Sequence, residues 1–161
     1  MSKIVPITKE EKKKIFDFAS RVIRDAEENE NSRWKLNRRY SIYSMCIGTV
    51  GEYGYGKMTG QKVNLTVKSR GDKGIDFPDG AQVKTVTYNG PDKELKVSNL
   101  SSPKKPKKYV LAYYDKSNKS DYVVMIGEIS YENFLNKKKI KYYNGRPTYI
   151  VDEKDLDKHY T

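Results

Sequence analysis

Three polar side chains near the middle of the chain, Asp76, Gln82 and Lys84, and one upstream, Glu52, have the types and spacing for metal-assisted chemistry. Between Asp76 and Gln82 stands Phe77-Pro78-Asp79-Gly80. Pro presets φ for a type I turn, and Gly80 suits the left-handed position that closes a three-residue hairpin loop. In that register Phe77 faces Ala81, Asp76 faces Gln82 and Ile75 faces Val83. Alternation along a strand then sends Ile75, Phe77, Ala81, Val83 and Thr85 to the core, and Asp76, Gln82 and Lys84 to the opposite face. Directly opposed side chains stand about 5 Å apart at Cβ. A carboxylate, an amide oxygen and an ammonium thus meet on one patch, with two oxygens for a hard divalent cation and a Lys beside an attacking water. The solvent-facing side of an ordinary hairpin would have the same pattern.

Glu52 is the only acidic residue between Glu30 and Asp72, and it sits in an apolar run containing Tyr40, Ile42, Met45, Cys46, Ile47 and Val50. That run predicts a buried helix over about residues 38–58. A carboxylate inside such a helix requires a cation, because unpaired burial costs several kcal/mol. Lys84, Arg39 or a metal ion could supply it.

The elements that must position these groups follow in order. Thr8-Lys9-Glu10-Glu11 is a capping box opening an amphipathic helix over about 9–29. Trp34 lies in a polar break and reads as a packing anchor. Val63, Leu65 and Val67 alternate with polar residues as a half-buried strand. The second hairpin strand runs on through Val86 to Tyr88, turns at Asn89-Gly90-Pro91, and continues at Leu95 and Val97, giving an antiparallel meander. Tyr109–Tyr114 and Tyr122–Ile126 are strands. Ser130 caps a short helix ending at Asn136, Asn144-Gly145 is a turn, 149–151 a last short strand, and Asp152–Asp157 a helical turn. The fold class is α/β, in the α+β sense: a mixed central sheet with an antiparallel meander, flanked by helices. The domain organisation is a single domain over 1–161, with an N-terminal helical part over 1–37, the candidate core over 38–129 and a helix/strand extension over 130–161.

Gly71-Asp72-Lys73-Gly74-Ile75-Asp76, the turn, then Gln82-Val83-Lys84-Thr85, with Gly51-Glu52-Tyr53-Gly54 upstream, resembles the core of the PD-(D/E)XK nucleases. The resemblance covers residues 44–88 and extends beyond them only in outline. Gln82 departs from it, standing where the family has Asp or Glu. The resemblance implies a restriction-endonuclease-like core and a magnesium- or manganese-dependent deoxyribonuclease that leaves 5′-phosphate ends. It implies Asp76 as the central metal ligand, with Gln82 through its amide oxygen, Val83 through its backbone carbonyl and Glu52 from the helix. Lys84 would orient the attacking water or offset charge on the phosphate. Asp72 is a turn former or an auxiliary ligand, and Lys73 could touch phosphate. The Gln for carboxylate exchange predicts weak binding of a second Mg²⁺ before substrate arrives. The family includes restriction, homing, junction-resolving and repair enzymes, and a chain this small fits a homodimer acting on duplex or branched DNA.

Composition points the same way. The 161 residues suffice for one domain with a modest core, and 32 Lys and Arg against 21 Asp and Glu give a net charge of +11. Such a balance favours polyanions, nucleic acid first. One Cys and one His exclude an internal disulfide framework and leave almost nothing for a zinc site, so a metal would be bound by oxygen, as Mg²⁺ and Mn²⁺ are. No signal-peptide core and no membrane-length apolar stretch stand in the sequence, so the expectation is a cytoplasmic, intracellular protein with no small-molecule cofactor. Lys104, Lys105, Lys107 and Lys108 form one candidate phosphate-binding patch, and Lys137, Lys138, Lys139 and Lys141 another. The alternative from a different class is a non-catalytic nucleic-acid-binding protein with a degenerate nuclease site, which Gln82 supports. A lipid-surface protein is disfavoured, because no helix combines a basic face with large apolar anchors.

Overall fold

The computed structural model describes residues 2–28, 38–65, 75–88, 90–115 and 120–161; the side chains of residues 26, 27 and 38–41 are excepted. The predictions for Trp34, Val67, Asp72, Lys73 and Asn89 fall outside the described residues or rest on side chains that do. The elements are β1 (Lys3–Pro6), α1 (Lys9–Glu28), α2 (Arg38–Thr59), β2 (Ala81–Val86), β3 (Glu94–Val97), β4 (Lys108–Tyr113), β5 (Tyr122–Ser130), α3 (Tyr131–Lys137), β6 (Lys139–Tyr143), β7 (Arg146–Asp152), a 3₁₀ turn (Glu153–Asp155) and β8 (Lys158–His159). The protein is a mixed α/β fold whose central sheet contains both parallel and antiparallel strands.

Local chemistry sets the helix ends. Thr8 N–H donates to Glu11 Oε1 at 2.9 Å and Glu11 N–H donates to Thr8 Oγ1 at 3.1 Å, the reciprocal capping box that opens α1. Gly60, at φ 74°, closes α2, and the next N–H, on Gln61, returns to the Gly56 carbonyl at 2.9 Å. Ser130 caps α3 by accepting the Asn133 N–H. Asn144 and Gly145, at φ 50° and 77°, join β6 to β7 as a two-residue hairpin turn.

The central sheet runs β1-β5-β4-β2, with β8 added beside β5. One face is covered by α2, which in turn carries α1. Val5, Val50, Tyr55, Ala81, Val83, Val110 and Met125 belong to the core on that side. The other face is covered by a second sheet, β3-β7-β6, and by α3, around Leu95, Tyr109, Leu111, Ile126, Phe134 and Val151. Burying both faces explains why β4 reads as a nearly unbroken apolar run rather than an alternating one.

Several expectations are corrected here. β2 does not continue into a meander with β3. It pairs in parallel with β4, in the register Gln82 to Tyr109 and Lys84 to Leu111, while β3 crosses to the second sheet and pairs antiparallel with β7. A turn signal at Asn89-Gly90-Pro91 says that the chain reverses but does not say which strand it joins next. Residues 61–65 are not a strand, although Val63 packs on the core. Three strands are not expected from the sequence: β1, four residues long, β6, five residues long, and β8, two residues long, which also makes the strand at 149–151 not the last. The expected turn at 152–157 is a 3₁₀ turn of three residues. Among the described residues, no helix is long and apolar enough to cross a membrane.

Candidate active site at the edge of strand β2

The turn before β2 forms as its composition predicts. Gly80 N–H donates to the Phe77 carbonyl at 2.9 Å, and Gly80 adopts φ 84°, where a residue with a Cβ would be strained. Asp76 N–H and Phe77 N–H both donate to the Ala81 carbonyl, at 3.0 and 3.3 Å. Phe77, Ala81 and Val83 are buried, as alternation requires. The arm before the turn differs from expectation, because residues 75 and 76 are not in a strand.

A side chain takes over part of the missing ladder. Asp76 Oδ2 accepts the Val83 N–H at 2.7 Å. Among the described residues β2 is an edge strand with β4 on one side, so this bond lies on the side away from β4. In a strand, the N–H and C=O of one residue point to the same side. The Val83 carbonyl is therefore directed to the same edge as the Asp76 carboxylate. This corrects the expected geometry: Gln82 and Lys84 share the face turned away from α2, on the rows of Tyr109 and Leu111, while the Asp76 carboxylate sits in the plane of the strand edge.

Glu52 comes from the other side. Gly51 brings α2 against β2 so closely that a Cβ there would overlap the Thr85 hydroxyl and crowd Val83. Gly56 faces Val63 and Phe77. Residues four apart lie on one stripe of a helix, so Glu52 shares the Gly56 stripe, one turn nearer the N-terminus. That stripe overhangs the β2 edge where Phe77 leads into the turn. Helix and strand run so that Tyr55 meets the turn and Gly51 meets Thr85, which puts Glu52 at the level of the middle of β2. Glu52 thus approaches the edge from the α2 face, Lys84 leaves β2 on the opposite face, and Asp76 lies between them. All three are half-buried, and each is engaged by at least one neighbour.

Asp79 holds the turn to the helix. Its Oδ2 accepts from Tyr55 O–H at 2.5 Å and from Gln61 Nε2 at 3.1 Å, and its Oδ1 accepts the Ala81 N–H at 3.1 Å. Burial pushes the Asp79 carboxyl up, but these hydrogen bonds, led by Tyr55, outweigh it and hold the group below the usual carboxylate range. The Tyr55 hydroxyl is pushed up to about 12 by burial first and the Asp79 bond second. The sequence marks Asp79 as a turn residue, which it is. Its second role, anchoring the turn to the C-terminal half of α2, depends on Tyr55 and Gln61 and has no local signature.

The donor set can be tested against a hard cation. Among the described residues, no three His, Cys, Asp or Glu side chains gather as a metal site. The oxygens at the edge itself are the Asp76 carboxylate and, by strand geometry, the Val83 carbonyl; the Glu52 carboxylate would have to reach in from α2 and the Gln82 amide from the opposite face of β2. Such an all-oxygen set suits Mg²⁺ or Mn²⁺, which bind through few protein ligands and complete their coordination with water and phosphate.

The two lysine patches separate on inspection. Lys104, Lys105 and Lys107 are exposed, with Lys105 Nζ donating to the Leu100 carbonyl. Lys108 is half-buried, paired with Glu128 at 2.7 Å and lying over the Tyr55 ring. Burial works against its charge, yet Glu128 and Tyr55 together outweigh burial and hold the ammonium pKa above its ordinary value. Lys108 is committed to the interior rather than offered to a phosphate. In the second patch Lys139 pairs with Asp152 at 2.8 Å, Lys141 with Glu94 at 2.7 Å and Lys137 with Asp157 at 3.6 Å, while Lys138 donates to the Leu135 carbonyl at 3.0 Å. These cations belong to local networks, and the sequence could not show the ion pairs because the carboxylates that pair with Lys137, Lys139 and Lys141 lie 13 to 47 positions away in the chain.

Compared with protein-family models, curated proteins and solved structures, the chain gives no significant match.

Proposed function

We propose that the protein is a divalent-cation-dependent DNA endonuclease with a restriction-endonuclease-like core, built around the edge of β2. The observation that carries this reading is the bond from the Val83 N–H to the Asp76 carboxylate. It brings together the one carboxylate and the one backbone carbonyl that a cation at this edge would need, beneath the stripe of α2 that carries Glu52.

Asp76, Glu52, the Gln82 amide and the Val83 carbonyl would hold Mg²⁺ or Mn²⁺. Bound there, the ion supplies Lewis-acid activation of the scissile phosphate and charge neutralisation at the leaving oxygen. The chain's own contributions are positional. The Asp79 anchor and the Gly80 turn fix the Asp76 backbone. The close approach at Gly51 fixes the depth of Glu52. Lys84, leaving the strand on the face opposite α2, would orient the attacking water and balance charge on the phosphate in the transition state. The net charge of +11 favours a polyanionic substrate. Gln82 also fits the second reading, a nucleic-acid-binding protein without catalysis, because an amide dipole replaces a full negative charge.

Incubation with duplex, branched and single-stranded DNA, in Mg²⁺ and in EDTA, separates the two readings. Cutting in Mg²⁺, abolished by EDTA and by Asp76→Ala or Lys84→Ala in folded protein, is the expected result. Either variant cutting as fast as wild type would overturn the site. Salt-dependent binding with no cutting in any metal would favour the non-catalytic reading.

A further inference from the structure

The second sheet packs one face on the core, and that face outruns its cover. Leu95 and Val151 pair there and are buried, and Tyr149, opposite Val97, packs against the same cluster. Alternation carries the face on to Pro147 of β7 and, through the β6 pairing, to Ile140 beside Tyr149 and Tyr142 beside Pro147. Leu95 and Val151 have at most 1% of their surface in solvent, whereas Ile140 has 53% and Tyr142 70%. Ile140, Tyr142 and Pro147 thus form an apolar strip that extends the core face beyond the central sheet.

The same strand has an open edge. Among the described residues β6 pairs only with β7. Asn144 and Gly145 form a two-residue turn with both φ positive, so Tyr143 and Arg146 exchange both backbone bonds. Pairs then alternate along the ladder: Lys141 and Lys139 bond to β7, while the N–H and C=O of Ile140 and Tyr142 point away from it. The edge of β2 is closed by the Asp76 carboxylate on the Val83 N–H; among the described residues no side chain closes the edge of β6. Lysines commonly guard such an edge. Here Lys139 and Lys141 lie on the opposite face of the ribbon and turn back to Asp152 at 2.8 Å and Glu94 at 2.7 Å.

We propose that β6 is the contact between two copies of this chain, paired antiparallel across a two-fold axis at Lys141, so that the second sheet continues from one copy into the other. The pairing is self-complementary about that axis. Ile140 bonds to the partner's Tyr142, and Tyr142 to the partner's Ile140, which satisfies the free N–H and C=O of both residues in both copies. On the apolar face each β-branched Ile140 stands against an aromatic Tyr142, a favourable cross-strand pair. On the other face Lys141 meets the partner's Lys141, but each keeps its Glu94, so two ion pairs meet rather than two bare cations. An unrelated chain would have to supply both an open edge and a matching apolar strip; a second copy has both. The contact is small against the roughly 20–30 residues a side of a stable interface and takes its affinity from main-chain pairing, as an added strand does, so half-dimerisation is expected at roughly 10–100 µM protein. The proposal does not depend on the nuclease reading.

The test is sedimentation equilibrium of the full chain, without DNA or metal, from about 1 to about 500 µM. The mass should rise from 18.7 kDa toward twice that value. Tyr142→Lys puts an ammonium into the strip and should raise the dissociation constant at least about tenfold, with the melting temperature of the dilute protein unchanged. Phe16→Lys, a like change at an exposed position of α1, should associate as wild type does. A second readout does not depend on how Tyr142→Lys folds. Opposed residues of a non-hydrogen-bonded pair have Cα atoms about 4.5 Å apart, within disulfide range. Lys141→Cys should therefore give a disulfide-linked dimer with oxidised glutathione as the oxidant, whereas wild type, which has Cys46, and Lys14→Cys on α1 should not. A monomer at every concentration would overturn the proposal and leave the edge to a different chain. So would a dimer that Tyr142→Lys leaves intact, or cross-linking no faster in Lys141→Cys than in Lys14→Cys.

Discussion

Asp76 Oδ2 accepts the backbone N–H of Val83 at 2.7 Å, so one carboxylate both completes the edge of a strand and faces the place where a cation would sit. The two tasks can be separated. Asp76→Asn keeps an acceptor for the Val83 N–H and removes the charge, whereas Asp76→Ala removes both. Asp76→Asn should fold with near-wild-type stability and fail to cut. Asp76→Ala should also fail to cut and lose about 1–3 kcal/mol, the cost of leaving a half-buried donor unsatisfied. Urea denaturation beside a cleavage assay reads both. Equal stabilities would mean that the bond contributes little to the fold.

Gln82 leaves the edge with one charge fewer than three carboxylates would give. Gln82→Glu should tighten Mn²⁺ and Mg²⁺ binding, measured by calorimetry on the free protein. An unchanged dissociation constant would remove Gln82 from the ligand set, and the remaining donors would have to be sought elsewhere along β2.

The depth of Glu52 depends on Gly51. A Cβ there meets the Thr85 hydroxyl and Val83, so Gly51→Ala should push α2 off β2, cost about 1–3 kcal/mol by overpacking, and slow cleavage beyond what the stability loss explains. Among the described residues, the Thr85 hydroxyl is buried without a hydrogen-bond partner. Thr85→Val should therefore be neutral or stabilising, because it removes an unsatisfied polar group at constant shape. A large destabilisation by Thr85→Val in thermal melts would reveal a bond that the packing does not suggest.

Acid should loosen the turn. Asp79 is held below its ordinary value of 3.8 in the folded chain, by hydrogen bonds from Tyr55, Ala81 and Gln61 that outweigh burial. A depressed carboxylate stabilises the fold fully above its unfolded pKa, and that contribution disappears as pH falls through the folded pKa. Stability measured from pH 7 downward should hold to about pH 4 and then decline. Asp79→Asn should be less stable at neutral pH and show a smaller decline. An identical acid profile in both proteins would mean that other carboxylates dominate.

The sequence determined those features whose partners are near in the chain. Thr8 with Glu11, Ser130 with Asn133, and Phe77 with Gly80 each find their hydrogen bonds within three residues, and Asn144 and Gly145 supply the positive φ of their own turn, so type and spacing suffice. The helix α2 also follows from its composition, but its burial does not hold over the whole run: among the described side chains, fully buried positions begin at Thr49, and Tyr43 is exposed. Tertiary structure decided the rest. Whether β2 took β3 or β4 as its neighbour depended on competition for one strand edge, and β3 found its partner in β7, more than fifty residues further on. That choice placed Gln82 and Lys84 on the face away from α2 and left the Asp76 carboxylate at the edge. It also brought Glu94 and Asp152 to Lys141 and Lys139, which local charge counting reads as free. Turns and caps are set by short-range geometry; strand partnership and ion pairing are set by which distant surfaces bury each other best, and no local pattern encodes that choice.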